Sequence, residues 1–216
     1  MPQDDGAVHG GIRLRRLAAV DADAVELRVL GCLIEKQATT PDQYPLSLNA
    51  LRLAANQSTN RDPVVDYDET VIRAALERLG DRGWTRLASG AGSRAVKFRH
   101  LLGEALDLAQ PQLALLAVLM LRGPQTAAEL RTRSERLHPF ASGAEVAETL
   151  DGLARRELVE RLARRPGERE ERWRQLLGEP GAAEDAPAPT AAGGSRLDEL
   201  ERRIAGLEAR LDAAGL

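Results

Sequence analysis

Two stretches decide the architecture: Ile72-Arg73-Ala74-Ala75-Leu76-Glu77-Arg78-Leu79-Gly80-Asp81-Arg82-Gly83-Trp84 and Val146-Ala147-Glu148-Thr149-Leu150-Asp151-Gly152-Leu153-Ala154-Arg155-Arg156-Glu157-Leu158. Shifted by 74 residues, Ile72 falls on Val146, Leu76 on Leu150, Leu79 on Leu153 and Trp84 on Leu158. Spacings of four and three put the first three of each set on one helical face. A repeat at this distance marks two copies of one supersecondary unit.

Working outward, each copy has two earlier helices. Leu27, Leu30, Leu33 and Ile34 form an apolar face in the first, and Leu113, Leu116, Leu119 and Met120 form its counterpart. A short helix follows, started by Ser47 and leading to Leu51 in one copy, and started by the capping box Thr126-Ala127-Ala128-Glu129 and leading to Leu130 in the other. Asp68 or a residue near it can cap the third helix of the first copy, and Ser142-Gly143-Ala144-Glu145 reads as a capping box for that of the second.

After each third helix the period changes to alternation. Trp84 to Ala88 and Ala95 to Leu101, joined by a Ser-Gly-Ala-Gly-Ser turn, read as a hairpin with Val96 and Phe98 on one side. Leu158 to Ala163 and Arg172 to Leu177 read as another, turning at Arg165-Pro166-Gly167-Glu168, where Pro-Gly suits the centre of a type II turn. Three helices and a two-stranded ribbon, twice over, predict a mainly α protein with small β-hairpins (α+β): tandem winged-helix domains over 21–102 and 103–177.

The flanks differ. Residues 1–20 mix Gly, Asp and Arg without period and read as a disordered leader, and 178–195 form a flexible Pro/Ala/Gly linker. In 196–214, Leu197, Leu200, Ile204, Leu207 and Leu211 follow the alternating three-four spacing of a coiled-coil seam. That seam, about two heptads long, predicts either an amphipathic self-association or docking helix, which would allow a homodimer, or a marginal amphipathic helix with no fixed partner.

The 216 residues carry a net charge of −3, with 43% apolar and only 3% aromatic residues. The core is therefore aliphatic, and the whole surface is no polyanion footprint. Both repeats are neutral and the tail is acidic. Cys32 is the only cysteine, so an intrachain disulfide and a cysteine metal cluster are excluded. No apolar run reaches the roughly 18–20 residues of a membrane span, and no secretory leader pattern is present. These features predict a cytoplasmic protein away from the membrane.

The run Glu35-Lys36-Gln37-Ala38-Thr39-Thr40-Pro41-Asp42-Gln43-Tyr44-Pro45-Leu46-Ser47-Leu48-Asn49-Ala50-Leu51, continued by Asn56-Gln57-Ser58-Thr59-Asn60-Arg61-Asp62-Pro63-Val64, resembles the signature of the YceH-like bacterial proteins. The resemblance covers about residues 25–177 and implies tandem winged helices of no established biochemical role. Ala55 stands where the family pattern has a cysteine, and Ser58-Thr59 where Lys-Ser is commoner, which removes a cation from that spot. Read chemically, the signature is loop and cap material. Thr40-Pro41 suits a helix start with Gln43 as capping partner, and Tyr44-Pro45 leads into the Ser47 cap. The polar residues Asn49, Asn56, Gln57, Asn60 and Arg61 either satisfy loop backbone or form a binding surface.

No catalytic constellation emerges. His9, His100 and His138 lack metal-ligand spacing, the Gly90/Gly92 turn lacks a phosphate-loop lysine, and Cys32 sits inside a helix. The protein is expected to be no enzyme, with no cofactor and no metal. Two partner classes remain, duplex DNA and a protein. The fold favours DNA, yet the outward faces of the third helices carry Glu77, Asp81, Glu148 and Asp151, which phosphates repel. A DNA-associated regulator would then grip backbone through Arg61, Arg73, Arg94, Lys97, Arg99, Arg164 and Arg165, on or beside the hairpins and loop. The alternative is a protein-interaction adaptor using the winged-helix surfaces.

Overall fold

The structure is a computed structural model that describes residues 22–88, 96–164, 167 and 170–178. The leader, the linker beyond Gly178, the tail seam from Leu197 to Leu211, and Arg94 and Arg165 lie outside the described residues. Each repeat has the same order of elements. The first is α1 (Ala24–Thr39), β1 (Leu46–Ser47), α2 (Leu48–Ala55), α3 (Glu69–Asp81), β2 (Thr85–Leu87) and β3 (Lys97–His100). A short helix, α4 (Leu102–Leu106), leads to α5 (Gln110–Arg122), β4 (Gln125–Thr126), α6 (Ala127–Ser134), α7 (Gly143–Arg155), β5 (Val159–Leu162) and β6 (Arg172–Gln175).

The expected ribbons are each one strand wider. β1 pairs antiparallel with β3, Leu46 opposite Phe98, giving the order β1-β3-β2. β4 does the same with β6, Gln125 opposite Trp173, giving β4-β6-β5. The extra strands are two residues long and run straight into a helix cap, so they are too short to alternate. The expected hairpin pairings hold, with Thr85 opposite His100 and Val159 opposite Gln175. Gly167 has φ +88°, the left-handed value required at the third position of a type II turn.

Most caps match their reading. Ser47, Asp68 and Thr126 each accept a hydrogen bond from the backbone three residues on, and Thr126 with Glu129 closes a full capping box. Ser142 accepts from Glu145 N, but the Glu145 carboxylate reaches Ala141 N rather than closing the box on Ser142. Asp23 and Glu26 form a box at the start of α1, and Glu26 also faces Arg78 of α3 and Arg82 at its C-terminal cap, at 3.6 and 3.4 Å. Thr40 caps nothing: Pro41–Gln43 is a single 3-10 turn, and the Thr40 hydroxyl donates back to Lys36 O at 3.2 Å, closing α1.

The turn after the third helix is the same in both repeats. Gly83 N donates to Gly80 O and Trp84 N to Leu79 O; Glu157 N donates to Ala154 O and Leu158 N to Leu153 O. Both Gly83 and Glu157 sit at positive φ, +73° and +56°. The second repeat thus holds a bulky residue where glycine costs least.

α1 and α5 bury more than one face. Glu26 through Ile34 and Leu113 through Leu121 are buried without interruption. A helix buried all round lies inside a core, and here each packs on its own repeat and on the other helix. Gly31 marks the crossing: a Cβ there would lie 2.9 Å from Leu121 Cγ and 3.2 Å from Met120 Cβ. One apolar cluster therefore runs through both repeats.

The repeats differ in length where they differ in chemistry. Ala24 and Gln110 start equivalent helices 86 residues apart, Ser47 and Thr126 equivalent caps 79 apart, and Asp68 and Ser142 equivalent caps 74 apart. All the additional length of the first repeat falls within 24–68, between those starts, where the family-like signature lies.

Candidate functional site

The signature folds around two buried arginines. The Arg61 side chain is 0% exposed and uses its whole fork. Nε donates to Ala54 O at 3.1 Å, Nη1 to Glu35 Oε1 at 3.1 Å and Asn60 O at 2.9 Å, and Nη2 to Glu35 Oε2 at 2.5 Å and Gln57 Oε1 at 3.1 Å. Arg28, inside the buried stretch of α1, donates to Ala55 O at 3.2 Å and Pro63 O at 2.7 Å. Together they answer the last carbonyls of α2, which a helix end otherwise leaves unpaired. Burial works against the Arg61 charge, and the Glu35 carboxylate together with the neighbouring Cys32 outweighs it, leaving the guanidinium above its ordinary pKa.

The other signature residues continue this frame. Asn56 clasps the loop, its amide nitrogen donating to Tyr67 O at 2.8 Å and its oxygen accepting from Tyr67 N at 2.9 Å. Asn60, at φ +59°, accepts from Arg122 of α5 at 2.9 Å, and Asp62 N donates to Leu121 O at 2.9 Å. The loop of the first repeat is thereby tied to the end of the first helix of the second. Tyr44 packs toward His100 and its hydroxyl accepts from His100 N at 2.9 Å; burial pushes this phenol up to about 12. Burial also holds His100 down to about 4, neutral, with its ring Nε2 hydrogen-bonded to Gln37 Oε1. Asn49 bonds only Arg52, Lys36 lies 3.7 Å from Glu35, and Pro41 and Asp42 are exposed in the 3-10 turn.

This arrangement corrects one expected DNA contact. Arg61 cannot reach a phosphate, because its donors are consumed inside the protein. Of the others described, Arg99 faces Glu104 at 3.3 Å. Arg73 and Arg164 are exposed and Lys97 is half-buried. Lys97 and Arg99 share β3, while Arg73 lies on α3 and Arg164 beyond β5 in the other repeat.

A groove of about 820 Å³ opens between α3, the start of α2 and the first hairpin. Leu48, Leu76 and Phe98 line it, with Leu87 60% and Val96 52% exposed beside them. Its charged lining is balanced, with Glu69, Arg73 and Glu77 from α3 and Arg86 from β2. The equivalent groove of the second repeat is smaller, about 390 Å³, and charged residues line it where the first has Leu87 and Val96. Arg161 lies over the Trp173 ring at 4.7 Å and bridges Asp151 at 3.5 Å and Glu171 at 3.3 Å. The partly exposed apolar face was not read from the sequence: strand alternation puts Val96 and Phe98 on one side but cannot say that no helix among the described residues covers them.

Cys32 is wholly buried, and burial pushes its thiol up to about 11, so it packs as a small hydrophobe. Among the described residues, no His, Cys, Asp and Glu side chains group into a metal site, and no helix is long and apolar enough to cross a membrane.

A two-repeat helical protein with small antiparallel sheets, an internally bonded signature loop and an uncovered apolar groove is the class these observations define. Residues 22–168 match the family described as a protein of unknown function, DUF480. The chain is 48% identical over 196 residues to a UPF0502 protein of Geotalea uraniireducens, covering 86% of this chain and 89% of that one. It is 47% identical over 203 residues to a UPF0502 protein of Shewanella amazonensis (88% and 96%), and 45% identical over 204 residues to one of Pseudomonas syringae pv. tomato (89% and 91%). The chain belongs to this uncharacterised bacterial family, in agreement with its YceH-like signature.

Proposed function

We propose that both repeats are winged-helix units and that the protein is a non-enzymatic adaptor, the first unit taking a partner-protein segment in its open groove. The segment presents two or three aliphatic side chains flanked by charges of both signs, as on an amphipathic helix. The observation that carries this reading is the contrast between the grooves: Leu87 and Val96 stand more than half exposed in the first, while in the smaller second one Arg161 lies over the apolar Trp173 ring. Apolar surface rimmed by polar groups is characteristic of protein contact sites. Glu69 and Glu77 balance Arg73 and Arg86 at the rim, which suits a mixed-charge peptide better than a polyanion.

The DNA-associated reading is the competitor, and one pair of experiments separates them. A photo-crosslinking residue at Val96 is expected to capture one protein in nuclease-treated extract, at a stoichiometry near one. Leu87→Glu abolishes the capture and Arg164→Gln leaves it intact. Capture that survives Leu87→Glu refutes the groove. Duplex DNA titrated at 50 mM salt is expected to show no saturable binding; a steeply salt-dependent complex weakened by Arg73→Gln returns the function to DNA.

A further inference from the structure

A second cleft, of about 500 Å³, lies where the repeats meet. Its walls are the end of α1, the signature loop 57–60, the end of α5, and the end of α6 with the turn after it. The volume falls within the roughly 300–1,000 Å³ of small-molecule sites. Val118, Leu121 and Leu137 give it an apolar floor, and Lys36, Arg122, Arg133 and Arg136 bring cations to its walls.

Part of that charge has an internal purpose. Three helices end here, each equivalent to about half a negative charge, and Lys36, Arg122 and Arg133 lie in their last turns. Arg133 also meets Glu129 at 3.2 Å, and Glu35 is taken by Arg61 at 2.5 Å. Two of the four cations, Arg122 at its helix end and Arg136 in the turn beyond α6, have no carboxylate ion pair among the described residues. Arg122 is half-buried and hydrogen-bonds only a neutral group, Asn60 Oδ1. Burial, and then the neighbouring Arg133, hold its guanidinium below the ordinary value, with Asp62 and Glu129 offsetting part. Arg136 is exposed and has no hydrogen bond or ion pair among the described residues. Glu135 is the remaining acidic group of the lining. Gln57, also in the lining, accepts from Arg61 through its oxygen, and its amide nitrogen has no partner among the described residues.

We infer that this junction cleft binds a phosphorylated small molecule, its oxyanion held by the Arg122 and Arg136 forks and its organic body resting on Val118, Leu121 and Leu137. Planar guanidinium forks match phosphate oxygens in pairs, and a half-buried cation without a carboxylate partner gains most from such a ligand. The site is independent of the groove, so failure of either reading leaves the other standing.

Isothermal titration of the full chain at 50 mM salt tests it, with inorganic phosphate and adenosine 5′-monophosphate as probes. Both bind saturably at one site per chain, the nucleotide tighter. Arg136→Gln weakens both by roughly tenfold, the scale of one charge-assisted hydrogen bond. This variant keeps the fold, since Arg136 contributes no bond to it. Arg164→Gln, in the distant second hairpin, changes neither. Absence of saturable phosphate binding overturns the inference, as does an equal loss in the Arg164→Gln control. Nucleotide binding no tighter than that of phosphate removes the organic body from the cleft.

Discussion

Replacing Arg61 by alanine tests whether the signature is an internal lock or a ligand surface. The substitution removes five hydrogen bonds, leaves the Glu35 carboxylate, 13% exposed, with only the Lys36 ammonium at 3.7 Å, and uncaps Ala54 O. Breaking one side of a buried ion pair costs about 3–5 kcal/mol. At about 2–4 °C per kcal/mol for a protein of this size, the melting temperature falls by roughly 6–20 °C. Trp84 and Trp173 are both buried, one in each repeat, so urea unfolding followed by tryptophan fluorescence reads the change. The double change Arg61→Met with Glu35→Met recovers much of the loss, because apolar residues of similar size replace a buried pair at little cost. A loss below about 1 kcal/mol refutes the lock. So does unchanged stability with a DNA affinity whose salt slope drops by about 0.9, the signature of one lost phosphate contact.

Two further outcomes follow from buried or strained groups. His100 is held neutral down to about pH 4, against an ordinary 6.5, first of all by burial. The unfolded chain therefore binds the proton first, and stability is lost as pH falls through 6.5, by on the order of 3 kcal/mol at pH 4. An NMR titration in which the His100 ring protonates near 6.5 contradicts this; in His100→Gln that part of the acid loss is absent. Glu157→Gly relieves a left-handed residue at the turn where the first repeat already has Gly83. It raises stability by about 1 kcal/mol, measured by urea unfolding, and a destabilised variant rules out the strain.

Much of the fold was legible because helical spacing and caps are local. Ile72, Leu76 and Leu79 announce a helix whatever surrounds them, and Ser47, Asp68 and Thr126 announce where helices start. The missing strands, Leu46–Ser47 and Gln125–Thr126, exist only through partners far along the chain. The site was less legible for the same reason. Arg61 reads as a solvent-facing loop residue until Glu35, 26 positions earlier, is found against it. Arg28 had a visible signal, a cation set among Leu27, Val29 and Leu30, and such a residue must have buried acceptors. The difference between the two grooves turns on Arg161 lying over Trp173, a contact no periodicity encodes.

The crossing of α1 and α5 at Gly31 sets an order on the birth of the molecule. α1 is finished at Thr39, but the helix that covers its far side ends at Arg122. At roughly 5–20 residues per second, the ribosome needs about 4–17 s to make the chain between them. Throughout that interval the nascent first repeat holds an aliphatic helix with one side uncovered and a loop whose anchor, Leu121 O, does not yet exist. Completion of the N-terminal half therefore waits on the arrival of the C-terminal one.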